Sequence, residues 1–147
     1  MAATEYYLSA KPWSDLFTVS PQEFNITCQL NKDEFLQLCI TNQCNSPIAW
    51  KLKTNRPGRY MVSPKQGIIK GNERTECTVV LTKFKELPDL HKSDKFLIQA
   101  TKVAVDTNEA QLNDIWKDRE SKHDKKRSQF AYHALTIKCL IKMDKRS

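Results

Sequence analysis

Apolar and polar residues alternate with a period of two in several short runs of this chain, and turn-forming residues separate the runs. Such a pattern predicts an all-β, antiparallel sandwich, with one face of each strand in a core and the other toward solvent. In Phe35 to Asn42, Leu36, Leu38 and Ile40 share one face and Gln37 and Cys39 the other, and Asn45, Ser46 and Pro47 close the run. Ile48 to Asn55 repeats it, with Ile48, Trp50 and Leu52 inward and Ala49, Lys51 and Lys53 outward, until Pro57-Gly58 breaks it. A short strand starts at Tyr60 and stops before Pro64, and Cys77, Val79 and Leu81 alternate with Thr78, Val80 and Thr82. Glu86 to Leu90 reads as a loop. From Lys95 to Val103, Phe96, Ile98 and Ala100 face one way and Lys95, Leu97 and Gln99 the other. The last strand turns Leu135, Ile137, Cys139, Ile141 and Met143 inward, opposed by Thr136, Lys138 and Lys142.

One segment breaks the period. Asn108 to Lys117 spaces Ala110, Leu112, Ile115 and Trp116 as a short helix before the last strand, with Asp106 or Thr107 as its cap. Lys117 to Arg127 then carries six bases against three acids, too polar to bury a face, and is expected to begin a solvated basic loop over about residues 117–130.

Size and composition narrow the function. At 147 residues and 39% hydrophobic, residues 1–147 suffice for a single domain with one core. Mean hydropathy is −0.61, and no apolar run nears the roughly 18 residues of a membrane span. No secretory or transit signal is visible in the first ten residues, so a cytoplasmic location is expected. Three glycines, unclustered, exclude a Rossmann fingerprint or a P-loop. The five cysteines (28, 39, 44, 77 and 139) include no C-x-x-C pair and read as reduced thiols. His91, His123 and His133 have no metal-ligand spacing, and no nucleophile motif appears. Neither an enzyme nor a metal or cofactor site is expected, and no catalytic residue is assigned.

Charge points instead to a partner. Residues 1–50 carry two bases and five acids, whereas residues 51–147 carry 22 bases and 12 acids, so the net charge of +7 is regional and suits an acidic ligand. Nucleic acid is not expected, because the basic segment lacks interleaved aromatics for base stacking. Leu97 sits on the same outward side as Lys95, and Lys51 and Lys53 point outward from another strand. A small apolar pocket rimmed by positive charge fits an aromatic anchor within an acidic peptide.

The run Trp50-Lys-Leu-Lys-Thr-Asn-Arg-Pro-Gly-Arg-Tyr-Met-Val-Ser-Pro-Lys-Gln-Gly-Ile-Ile69, with Cys77-Thr-Val-Val-Leu81, Lys95-Phe-Leu-Ile-Gln99 and Ile115-Trp-Lys117, resembles the major sperm protein domain. It is most similar to the VAP (VAMP-associated protein) type, which reads F-K-V-K-T-T-x-P-x-R-Y-x-V-x-P-N-x-G-I-I, K-F-M-V-Q and V-W-K. The resemblance covers about residues 8–143. It implies an immunoglobulin-like seven-stranded sandwich that binds short FFAT motifs, two phenylalanines in an acidic tract, as an adaptor in tethering or trafficking at membrane contact sites. Carried over, the family's K-T-T run falls on Lys53, Thr54 and Asn55, its lysine and methionine on Lys95 and Leu97, and the lysine facing an acidic or phosphorylated residue on Lys51. Asn55 replaces a threonine, Leu97 a methionine, and Lys65-Gln66 stands where Asn-Ser is common.

VAP proteins continue into a coiled coil and a membrane anchor. Neither follows Ser147, so the expectation is a soluble relative, or part of a longer protein on the cytosolic face of the endoplasmic reticulum with its membrane link in partners or further residues. Homodimerisation through an edge strand stays open. The alternative function is that of the nematode sperm proteins, which use the same fold to assemble into cytoskeletal filaments.

Overall fold

Each alternating run becomes a strand whose apolar face looks into the space between two sheets. The structure, a computed structural model, describes residues 16–90, 92–122 and 132–144. In chain order the strands are β1 (Phe17–Ser20), β2 (Glu23–Cys28), β3 (Glu34–Asn42), β4 (Ile48–Thr54), β5 (Tyr60–Ser63), β6 (Gln66–Ile69), β7 (Arg74–Leu81) and β8 (Asp94–Lys102). A 3-10 turn (Glu109–Gln111), helix α1 (Leu112–Lys122) and β9 (His133–Met143) follow. One sheet has the order β1-β3-β7-β5 and the other β2-β9-β8-β4-β6. Between them Leu38, Ile40, Ile48, Trp50, Val79, Leu81, Phe96, Ile98, Leu135 and Ile137 form the core, from the inward rows that alternation selects.

The immunoglobulin-like sandwich stands, with corrections in detail. Nine strands occur among the described residues rather than seven, because two passes of the chain are broken at proline. Pro21 separates β1 from β2 and Pro64 separates β5 from β6, both after cis bonds, and at each the chain crosses from the four-stranded sheet to the five-stranded one. Proline has no N–H to give a ladder, so it suits these crossings. The crossing at Pro21 also lays β2 beside β9 in the same direction, so one pair is parallel where an antiparallel sandwich was expected.

Helix α1 also departs from expectation. Asn108, not Asp106 or Thr107, takes the cap position, and its N–H donates to Gln111 Oε1 at 2.9 Å. The helix then runs on to Lys122, so residues 117–122 are helical rather than loop. Asp118 and Lys122, one turn apart at 3.0 Å, support that last turn, and Arg119 and Lys122 complement the negative end of the helix dipole. Residues 123–130 of the expected loop lie outside the described residues. All five cysteines are free thiols.

Candidate functional site

The outer face of the five-stranded sheet collects the residues singled out in the sequence. β4 and β8 pair antiparallel, with Lys51 opposite Gln99, Lys53 opposite Leu97 and Thr54 opposite Phe96. Directly opposed side chains stand about 5 Å apart, so Lys53 and Leu97 form one row. The β8·β9 register extends it: Leu97 faces Thr136, and Lys95 faces Lys138. Half-buried Leu97 is thereby ringed by Lys53 in its own row and by Lys95 and Lys138 in the next. Lys138 was placed outward by alternation, but not in the site, because its neighbour Lys95 lies far off in sequence.

Thr54 and Asn55 are engaged within the fold itself. The Arg56 N–H donates to Thr54 Oγ1 at 3.1 Å, and the Lys95 N–H donates to Asn55 Oδ1 at 2.8 Å while the Asn55 N–H returns to the Lys95 carbonyl at 3.2 Å. Asparagine thus prolongs the β4·β8 ladder by one side-chain bond and holds Lys95 beside the end of β4. The threonine O–H and the asparagine NH2 stay chemically capable of donating to a ligand.

Beneath Lys95 a buried charge anchors the same corner. Asp94 is held by Arg59 Nη1 at 3.0 and 3.1 Å, by the Tyr60 hydroxyl at 2.6 Å and, at 3.5 Å, by Arg56 Nε. This ties the loop between β4 and β5 to the start of β8. Burial, and after it the bonds to Asp94 and Cys139, pushes the Tyr60 phenol far above its ordinary range. A cavity of about 320 Å³ opens beside Lys53, lined by Leu52, Thr54, Pro57, Tyr60, Val62 and Lys65.

The other half of the face is covered. Helix α1 sets Leu112 and Trp116 on Ala49, with Ile68, Val103, Ile115 and Tyr132 around them, so outward Ala49 and Gln99 are buried after all. Lys51 lies 5.9 Å from the Trp116 ring centre. One turn beyond Trp116, Glu120 reaches both lysines: Lys53 Nζ at 2.6 Å and Lys51 Nζ at 3.3 Å. Partial desolvation pushes the Glu120 carboxyl up, but hydrogen bonds from Lys53 and Lys51 outweigh it and hold the group below its usual range. Lys95, by contrast, has no ion-pair partner among the described residues. Nor do three His, Cys, Asp or Glu residues gather there as a metal set, and no described helix is long and apolar enough to cross a membrane.

Comparison with known proteins agrees with this architecture. The model of the MSP (Major sperm protein) domain matches residues 16–121. Vesicle-associated protein 2-2 of Arabidopsis thaliana is 32% identical over 110 residues, which cover 74% of this chain and 28% of that protein. Vesicle-associated membrane protein-associated protein B of Bos taurus is 28% identical over 118 residues, covering 80% of this chain and 44% of that protein. The matched part thus spans less than half the length of either relative. Among solved structures, WR4, a C. elegans MSP family member, superposes with a TM-score of 0.64 at 17% identity over 87% of this chain and 99% of its own. The PapD-like domain 7 of human CEP192 does so at 0.57 and 10% identity, over 93% and 92%. The chain belongs to the MSP (major sperm protein) domain family and is distantly homologous to the vesicle-associated proteins.

Proposed function

We propose that residues 1–147 act as one non-catalytic docking domain that binds FFAT-like peptides, two phenylalanines in an acidic tract, through Lys51, Lys53, Thr54, Asn55, Lys95 and Leu97, with Lys138 added by the register. The observation that carries this reading is the half-buried Leu97 set among Lys53, Lys95 and Lys138 on an outer sheet face. The likeness to vesicle-associated proteins supports it. In this reading the domain is a cytoplasmic adaptor that links partners to one another, or to the endoplasmic reticulum as part of a longer anchored protein.

Recognition divides into steering and holding. Lysines of the later segments attract the acidic tract over a Debye length of about 10 Å, and an aromatic ring then covers Leu97. Burying one phenylalanine contributes about 1.5–3 kcal/mol, while micromolar affinity needs about 8 kcal/mol, so hydrogen bonds and the acidic flank must contribute the remainder. Fluorescence anisotropy of a labelled acidic two-phenylalanine peptide tests the reading. Saturable binding that weakens with salt and disappears in the Lys95→Asp, Leu97→Asp double variant is expected; unchanged binding by that variant would sink it.

A second reading, self-assembly in the manner of the sperm proteins, draws on the opposite face. There Val80 pairs with both Phe35 and Met61, which are 72% and 65% exposed, making an apolar row across β3, β7 and β5. Light scattering against concentration separates the two readings.

A further inference from the structure

Two lysines of the proposed site already hold a carboxylate. Glu120 divides its oxygens between them, Oε2 on Lys53 and Oε1 on Lys51. A docked element delivers it: Leu112 and Trp116 seat α1, Gln66 bonds Asn113 at 3.3 Å, and Arg119 bonds Thr101 at 3.2 Å. The carboxylate therefore occupies a cationic position one row from the open lysines around Leu97.

We propose that Glu120 is a specificity-determining internal competitor, a carboxylate of the chain itself that a ligand's acidic group must displace from Lys51 and Lys53. The inference rests on the docking reading above. A ligand with one acid at this point exchanges one carboxylate for another and gains little. A tract of acids, or a doubly charged group, outweighs the single charge of Glu120. The side chain thus sets a threshold in ligand charge, and it turns a generally basic face into one selective for densely acidic peptides.

Displacement is within reach of such a ligand. The Glu120, Lys51 and Lys53 side chains are 34%, 27% and 43% exposed, and ion pairs that wet are weak. Leu112 and Trp116 are the buried residues of α1, and its last turn is held by side-chain bonds alone, Arg119 to Thr101 and Glu120 to the two lysines. Beneath the helix, Trp116 Nε1 and Gln99 Oε1 are buried without a protein partner among the described residues.

The test compares wild type, Glu120→Gln and Asp118→Asn by anisotropy. Asp118 sits on the same helix, makes the same change in net charge, and contacts Arg119 and Lys122 rather than the site. Two peptides are used, an acidic two-phenylalanine peptide and its counterpart with glutamines for the acids. At low salt, Glu120→Gln should bind the acidic peptide roughly three- to tenfold more tightly than wild type. The gain should shrink at high salt and vanish for the glutamine peptide, and Asp118→Asn should stay close to wild type. Wild-type binding with no gain in Glu120→Gln, or an equal gain in Asp118→Asn, would overturn the competitor and leave the docking reading standing. Absence of binding by all three proteins would overturn the docking reading and this inference with it.

Discussion

Asp94 shows how single residues shape this corner of the fold. A buried carboxylate is costly unless its charge is matched, and Arg59 and the Tyr60 hydroxyl do this at 3.0 and 2.6 Å. Tyr60 also packs edge-on against Phe96 at 4.8 Å, so the hydroxyl that serves Asp94 belongs to a ring locked in the core. Its raised pKa has a stability consequence. The folded phenol keeps its proton where an unfolded one, with a pKa near 10, loses it. The contribution of Tyr60 is therefore fully present below about pH 10 and is lost as pH rises beyond it. In a spectroscopic alkaline titration, the phenolate signal missing from Tyr60→Phe but present in wild type should appear together with unfolding. A separate step while the protein is still folded would contradict the buried Asp94–Tyr60 bond. At neutral pH, Tyr60→Phe should cost about 1–3 kcal/mol in urea unfolding, because Asp94 loses a donor.

Among the elements, α1 is a satellite of the sandwich. Its anchors form a small cluster on the outside of the sheet, apart from the core between the sheets. Trp116→Ala should accordingly release the helix without melting the sandwich: amide exchange over residues 112–122 rises sharply while β3 and β7 keep their protection. Uniform loss of protection would mean that the helix is integral to folding. The same arrangement explains what was legible in the sequence. β3, β4, β8 and β9 each keep one face in the core, and alternation therefore found them. β1 and β6, like β5, have four residues each, too few for a period to show. β5 was read from the Pro57-Gly58 and Pro64 breaks on either side of it, and β6 includes Gly67, where a Cβ would meet Trp50 Nε1 at 2.9 Å. Lys51, Lys53, Lys95 and Leu97 were placed on one face by alternation, and the family resemblance added Thr54 and Asn55. What no local pattern holds is where a helix lands. Ala49 and Gln99 are outward by period yet buried, and Glu120 sat in a segment whose charge alone made it look like solvated loop.

At the scale of the whole molecule, the lysine cluster and the apolar row lie on opposite sheet faces, and their sizes decide between docking and assembly. The face around Leu97 is basic, whereas the outer face of the four-stranded sheet offers the row Phe35–Val80–Met61. A large side chain has on the order of 200 Å² to bury, and Phe35 and Met61 are 72% and 65% exposed and Val80 half-buried. The row therefore offers about 300–400 Å² per copy and about 600–800 Å² for two copies, short of the roughly 1,000 Å² of a stable interface. Copies that approach through this row also carry +7 each, and their repulsion extends about 10 Å at 0.1 M salt. Static light scattering should therefore return the 17.1 kDa of one chain across a range of concentrations at low salt, and Phe35→Ser should leave that mass unchanged. High salt removes the repulsion but adds no area, so the mass should hold there too, even as affinity for an acidic peptide falls. A mass that climbs with concentration and returns to one chain in Phe35→Ser would transfer the function from the lysine face to the apolar row.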